Sequence, residues 1–351
     1  MSGTVAGEAT DALAGKPGAR AQTEPTPGPA WPHRHILDTD VLTWPQIELV
    51  LDTARHMAEI VAGTRPRSTA LKGIGVTNLF YEASTRTRVS FEVAAKYLSA
   101  DVVNVSISGS SIEKGESLLD TMRTLEALGA KVLVMRHATS GAPYLVAREF
   151  GGAVVNAWDG RHAHPTQALL DLFALLQRVP GGSLKGRKVV ILGDILHSRV
   201  ARSNLWTLTA AGADVWVCGP ATLLRGFEAW AAAGVGGERR FTVTSDMGAA
   251  MRGADVVMAL RIQKERMAAG LLPSLHEYAA RFGLTEERLA GAAEGCLVMH
   301  PGPMNEGVEI AADVAAGPRS LVTEQVAAGV PIRMAVLSLV AAAAGLRGGS
   351  A

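Results

Sequence analysis

From Trp31 onward, apolar residues recur in two alternating patterns along the chain. Short strand-like runs at 75–81, 101–105, 131–135 and 153–156 are separated by longer amphipathic runs at 40–62, 89–98 and 117–128, which read as helices. A helix is predicted from Pro165, with proline at the favoured first position, to about residue 177. The segment 179–183, Val-Pro-Gly-Gly-Ser, breaks the pattern, and a second alternation starts at Lys188 with strand-like runs at 189–192, 214–217, 241–244, 255–260 and 296–299. Strands alternating with helices imply parallel sheets with crossover connections. The expected fold is therefore α/β: two doubly wound, Rossmann-like parallel-sheet domains, with a boundary near 178–186. A final helix over 323–346, apolar on most faces, is expected to pack back between other elements. The expected division is a disordered tail at 1–31, rich in Ala, Gly, Thr and Pro, then domains at 32–178 and 179–322. The helical segment 323–351 returns to the first domain.

Composition narrows the function classes. A chain of 351 residues exceeds one ordinary core, and 48% hydrophobic content supports large buried ones. The net charge of +1 provides no global field for nucleic acid or a membrane surface, so anion binding has to come from local clusters. Cys218 and Cys296 both sit in apolar strand-like runs and read as buried thiols. No basic-then-apolar leader pattern opens the chain, and the apolar run 334–346 is too short to span a bilayer. A cytoplasmic, soluble protein is expected.

Candidate chemistry lies just past the strand-like runs. Ser84-Thr85-Arg86-Thr87-Arg88 follows the first of them and precedes a helix. Hydroxyls, guanidinium groups and unpartnered N–H groups at a helix N-terminus suit a phosphate, although an N-capped helix with solvated arginines has the same pattern. The segment 110–117, with Ser110, Lys114 and Gly115, reads as a lid bearing a cation or as a solvated loop. Arg136 ends another strand-like run, where ligands of open parallel sheets sit. His164 and Gln167 share one face of a first helical turn, suited to a carbonyl and an amide, unless the histidine only caps the helix. Gly193 to Arg199 occupies the place of a dinucleotide-binding turn but lacks Gly-x-Gly-x-x-Gly, so no nucleotide cofactor is expected. Arg199, Arg261 and Gln263 offer groups for carboxylates, and Pro301 and Gly302 offer backbone carbonyls. The scattered histidines have no metal-ligand spacing, so no metal is expected.

In this combination the chain resembles the catalytic chains of the aspartate carbamoyltransferase family. Ser-Thr-Arg-Thr-Arg, Lys-Gly-Glu, Met-Arg-His, His-Pro-Thr-Gln, Arg-x-Gln-Lys-Glu and His-Pro-Gly-Pro occur in that family's order over about residues 32–346. The resemblance implies that Ser84, Thr85, Arg86 and Thr87 hold the phosphate of carbamoyl phosphate. It implies that Arg136, His164 and Thr87 polarise the carbonyl, Gln167 binds the amide nitrogen, and Pro301 and Gly302 lend carbonyls. Arg199, Arg261 and Gln263 would hold the two carboxylates of L-aspartate. Ser110 and Lys114 would arrive from a neighbouring subunit of a homotrimer with shared sites. The implied product is N-carbamoyl-L-aspartate, for pyrimidine synthesis, and association with a regulatory chain or a dihydroorotase stays open.

Glu306 departs from the pattern, since many relatives carry arginine there, which bears on closure or partner contacts. Two rival readings are an ornithine carbamoyltransferase, whose cationic substrate Arg261 would repel, and a non-catalytic scaffold of a pyrimidine-pathway complex. Retention of Arg86, Lys114 and His164 argues against the scaffold.

Overall fold

A computed structural model describes residues 31–106, 115–237, 240–263 and 270–349. The first half runs α1 (Trp44–Val61), β1 (Gly75–Phe80), α2 (Thr85–Tyr97), β2 (Asp101–Ser106), α3 (Leu118–Ala127), β3 (Ala130–His137), α4 (Ala142–Glu149), β4 (Ala153–Asp159) and α5 (Pro165–Arg178). The second runs β5 (Lys188–Leu192), α6 (Arg199–Ala210), β6 (Asp214–Cys218), α7 (Phe227–Ala233), β7 (Thr242–Thr244), α8 (Met247–Met251) and β8 (Val256–Ala259). It continues through α9 (Leu275–Phe282), α10 (Glu286–Leu289), β9 (Leu297–Met299), α11 (Ala312–Ala316) and α12 (Val322–Ala343).

All pairings between these strands are parallel, in the orders β2-β1-β3-β4 and β7-β6-β5-β8-β9. Each sheet is covered on both faces, as the alternation of buried side chains requires. In β3, Val132 and Val134 pack into the cluster containing α2, α5 and α12, while Leu133 and Met135 pack with α3 and α4. In β5, Val189 and Ile191 join α6, while Val190 and Leu192 join α8, α10 and α11. One apolar cluster runs from the first sheet through α5, α12 and α6 to the second. Cys218 and Cys296 are free, buried thiols in the outer layer of the second sheet.

The strand order fixes where a ligand sits. From β1 the chain steps to β2 on one side and later to β3 and β4 on the other, so the winding direction reverses between β1 and β3. In the second sheet it reverses between β5 and β8. A crevice opens at the carboxyl ends of the strands at each such reversal. The chain leaving β1 begins α2 at Ser84, whose Oγ accepts from the Thr87 N–H at 3.3 Å. The chain past β5 begins α6 the same way at Ser198, which accepts from the Ala201 N–H at 3.1 Å. Each cap stabilises its helix start by about 1 kcal/mol.

Several elements differ from the sequence reading. Helix α2 starts at Thr85, four residues before the expected start, so Thr85, Arg86 and Thr87 form its first turn instead of preceding it. Helix α1 starts at Trp44 rather than residue 40, behind a capping box at Thr43 and Gln46. Helix α4 was not anticipated; Gly141 enters it at φ 85°, and its Gly-Ala-Pro start reads as a turn. The C-terminal apolar segment is not too short to span a bilayer: α12 has 22 residues and is long and apolar enough by length and composition. Instead, α12 lies against α1, α2 and α5, and 61% of its most apolar window is buried inside the protein.

Candidate active site

The two crevices open into a single cavity of about 1560 Å³. The first turn of α2 forms one wall, with Ser84, Thr85, Arg86 and Thr87 facing the space. The N–H groups of a first helical turn lack helical acceptors, and the helix dipole adds positive potential there. An anion at this position meets amide donors, hydroxyls and the Arg86 guanidinium together.

The neighbouring strands supply the next side chains. Arg136 leaves the end of β3, is buried, and has Nη2 3.6 Å from Glu82 Oε2. Its guanidinium carbon lies 3.2 Å from the ring centroid of Trp158, at the end of β4. The guanidinium carbon of Arg199, from the first turn of α6, lies 2.9 Å from the same centroid. Two guanidiniums that close cannot share one face, so the indole separates them. Stacking of this kind offsets part of the like-charge repulsion. Arg199 also donates to the Gly160 carbonyl.

His164 stands at the N-cap of α5 but does not cap it with its side chain. Its backbone N–H donates to Ser203 Oγ at 3.0 Å, and its Nδ1 is buried with no hydrogen-bond partner among the described residues. Burial, followed by the charges of Arg333, Arg199 and Arg136, holds its pKa well below the usual histidine value. It is therefore a neutral imidazole at neutral pH, with one ring N–H to donate and one nitrogen to accept. One turn later, Gln167 donates from Nε2 to Asp171 Oδ1 at 2.8 Å.

The second sheet closes the cavity. Gln263 is held by bonds from its backbone N–H to Asp194 Oδ2 at 3.4 Å and from Nε2 to the His197 carbonyl at 3.2 Å. Its Oε1 is buried without a partner among the described residues. Arg261 faces Arg86 across the space; desolvation first, and then this like charge, lower the Arg86 pKa. His300, Pro301 and Gly302 follow β9, and the Gly302 N–H donates to His300 Nδ1 at 2.8 Å. Gly302 has φ +62°, and a Cβ built on it would lie 2.7 Å from Arg86 Nη1. The missing side chain is the room in which the Arg86 guanidinium sits.

Ser84, Thr85, Arg86, Thr87, Arg136, His164, Gln167, Arg199, Arg261, Gln263, Pro301 and Gly302, all singled out from sequence, line this cavity. Ser110 and Lys114 lie outside the described residues. Glu306 is exposed and is not among the lining residues. Sequence reasoning missed Trp158, Glu82, Gln325 and Arg333, which also line the space. Trp158 had the same signal as Arg136, a position at the end of a strand. Arg333 had another, a charge in the apolar interior of a helix whose other charge, Glu324, lies in its first turn. It is 5% exposed, and burial lowers its pKa to about 10 against the opposing effect of Asp171.

Residues 34–177 match the family model for the aspartate/ornithine carbamoyltransferase carbamoyl-P binding domain, and residues 185–340 match that for the Asp/Orn binding domain. The chain is 57% identical over 304 residues to an aspartate carbamoyltransferase catalytic subunit of Roseiflexus sp. (strain RS-1), covering 87% of this chain and 94% of that one. It is 54% identical to a protein of the same name from Chloroflexus aggregans, covering 87% and 97%. Among solved structures, it is similar to aspartate transcarbamoylase from Trypanosoma cruzi in complex with carbamoyl phosphate and aspartate, with TM-score 0.77, 30% identity and coverage of 90% and 99%. It is also similar to ornithine carbamoyltransferase from Pyrococcus furiosus, with TM-score 0.79, 26% identity and coverage of 93% and 100%.

The Gly302–Arg86 approach generates a direct test. Gly302→Ala forces a Cβ into the guanidinium and a side chain onto a left-handed backbone. Calorimetric titration of inorganic phosphate is expected to show affinity reduced by about tenfold, with a modest fall in thermal midpoint. Unchanged phosphate affinity would mean that the 300–302 turn does not position Arg86.

Proposed function

The chain belongs to the aspartate/ornithine carbamoyltransferase family, and on that premise we propose that it transfers the carbamoyl group of carbamoyl phosphate to the amine of L-aspartate. The observation that carries this reading over ornithine is the charge of the second wall. Arg199 and Arg261 bring two cations, and Gln263 a fixed amide, to the part of the cavity where the acceptor amino acid would lie. Two carboxylates complement that wall, whereas a cationic side chain would be repelled by it. Fold likeness cannot separate the two substrates, because both kinds of carbamoyltransferase superpose on the chain. Identity above 50% to relatives named as aspartate enzymes points the same way as the charge.

In this reading the phosphate group rests on the first turn of α2, held by Ser84, Thr85, Arg86 and Thr87. Arg136, neutral His164 and Thr87 donate to the carbonyl oxygen. Gln167 and the carbonyls of Pro301 and Gly302 accept from the carbamoyl NH₂ group. The aspartate amine attacks the carbamoyl carbon, forming a C–N bond, and the oxyanion of the tetrahedral intermediate is stabilised by the carbonyl donors. The C–O bond to phosphate then breaks, phosphate leaves with the electron pair, and the amine proton passes to a phosphate oxygen. Rate acceleration comes from positioning and preorganised positive charge, with no covalent intermediate on the protein. The product, N-carbamoyl-L-aspartate, would enter pyrimidine synthesis in the cytoplasm.

The test of the reaction is turnover with carbamoyl phosphate and either acceptor. Phosphate release with L-aspartate and none above background with L-ornithine is expected; the reverse would transfer the assignment to ornithine, and release with neither would favour a scaffold.

We further propose a homotrimer in which Ser110 and Lys114 complete a neighbour's site. Arg86→Ala removes the receiving half of a site and Lys114→Ala the donated half. Mixed trimers of the two inactive variants should regain activity at roughly one site in three, because a cyclic interface repeats around the ring. Recovery no greater than the two variants show separately, with mixing confirmed by mass, would place Lys114 elsewhere.

A further inference from the structure

The cavity's hydrogen bonds lead back to one carboxylate that touches no part of the open space. Asp171 is fully buried on α5, one turn after Gln167. Its Oδ1 accepts from Gln167 Nε2 at 2.8 Å and from Gln325 Nε2 at 2.7 Å, and its Oδ2 accepts from Asn204 Nδ2 at 2.9 Å. Gln325 is oriented from its other end, because its Oε1 accepts the His300 N–H at 3.0 Å. Asp171 therefore joins α5, α6, α12 and the turn after β9.

We propose that Asp171 is a positioning residue that dictates which way the Gln167 amide faces, and thereby makes the site prefer a carbamoyl group to an acyl group lacking N–H. The proposal rests on the carbamoyl-transfer reading above and deepens it. An ionised carboxylate only accepts hydrogen bonds, so every amide that meets it must present its NH₂ group. With Nε2 of Gln167 committed to Asp171, Oε1 is the atom left for the cavity that Gln167 lines. In the carbamoyl-transfer reading that oxygen is the acceptor offered to the substrate's NH₂ group. A methyl group in its place would leave Oε1 desolvated and unpaired, the kind of mismatch that discriminates strongly between isosteres.

The protonation state fits this role. Burial raises the Asp171 pKa to about 6, against the bonds from Asn204, Gln325 and Gln167 and the charge of Arg333. The carboxylate is thus ionised at neutral pH. Arg333, from α12, is the charged group that bears on it, and its hydrogen-bond neighbours are all neutral amides.

The test compares carbamoyl phosphate with acetyl phosphate as donors to L-aspartate in the wild type, Asp171→Leu and Asp171→Asn. In Asp171→Leu the Gln167 amide loses its acceptor and turns freely. The ratio of kcat/KM values, carbamoyl over acetyl, is expected to fall by about tenfold or more. Asp171→Asn should retain the ratio. Its amide oxygen can accept from Gln167 and Gln325, while its NH₂ group meets Asn204, whose Oδ1 is buried without a partner among the described residues. A merely structural role would lower both donors alike, so an unchanged ratio in Asp171→Leu overturns the proposal. Should that variant not fold, neutron diffraction of deuterium-exchanged wild-type protein decides instead. Deuterons of the Gln167 amide directed at Asp171 support the proposal, and the amide oxygen there overturns it. Failure of the wild type to use carbamoyl phosphate would instead reject the underlying reaction.

Discussion

Like charge held in a confined space is the constraint from which the rest of the site follows. Arg86, Arg136, Arg161, Arg199, Arg261 and Arg333 line one cavity, and Glu82 is the one carboxylate among the described lining residues. The chain as a whole carries a net charge of only +1, so this concentration is local. Arginines facing one another at short range repel, more strongly as water is excluded. The fold manages the repulsion with particular contacts: Glu82 beside Arg136, the Trp158 indole between Arg136 and Arg199, and the Gly160 carbonyl on Arg199. A ligand with a phosphate and two carboxylates would neutralise what remains. Burial, and after it the same field, keep His164 neutral, so it acts as a hydrogen-bond donor rather than a further cation.

The arginines converge because the winding direction reverses once in each sheet. Arg86 and Arg136 emerge on either side of the reversal between β1 and β3, and Arg199 and Arg261 on either side of that between β5 and β8. Parallel strands all present their carboxyl ends to the same edge, so residues distant in sequence meet there. The buried network around Asp171 then fixes the floor. Through it, α12, which contributes no residue to the sequence motifs, sets the orientation of groups on α5 and after β9.

Much of this was legible in the chain because strand ends announce themselves. The alternation of apolar runs placed the strands to within a few residues, and the polar residues just beyond them marked Arg86, Arg136, Arg199 and Arg261. Local propensity failed where a tertiary or capping contact decided the outcome. Thr85 and Thr87 are weak helix formers, yet the Ser84 cap starts α2 there. Helix α4 is short and entered through a glycine at positive φ, which reads as a turn. Asp171 and Gln325 look like incidental polar residues on apolar helices, and only the packing of α5 against α12 brings them together. Trp158 was overlooked because an aromatic residue at a strand end reads as core, whereas here it lies between two cations.

The central claim is that the two reversals divide the labour, one holding carbamoyl phosphate and the other the amino acid. Arg261→Ala tests it most directly, with carbamoyl phosphate affinity measured by calorimetry and the aspartate KM by turnover. Loss of a charge-assisted pair to a carboxylate costs on the order of 2–5 kcal/mol, so the aspartate KM should rise by about thirtyfold or more while carbamoyl phosphate affinity stays within about threefold. A fall in carbamoyl phosphate affinity as large as the rise in aspartate KM would contradict the division.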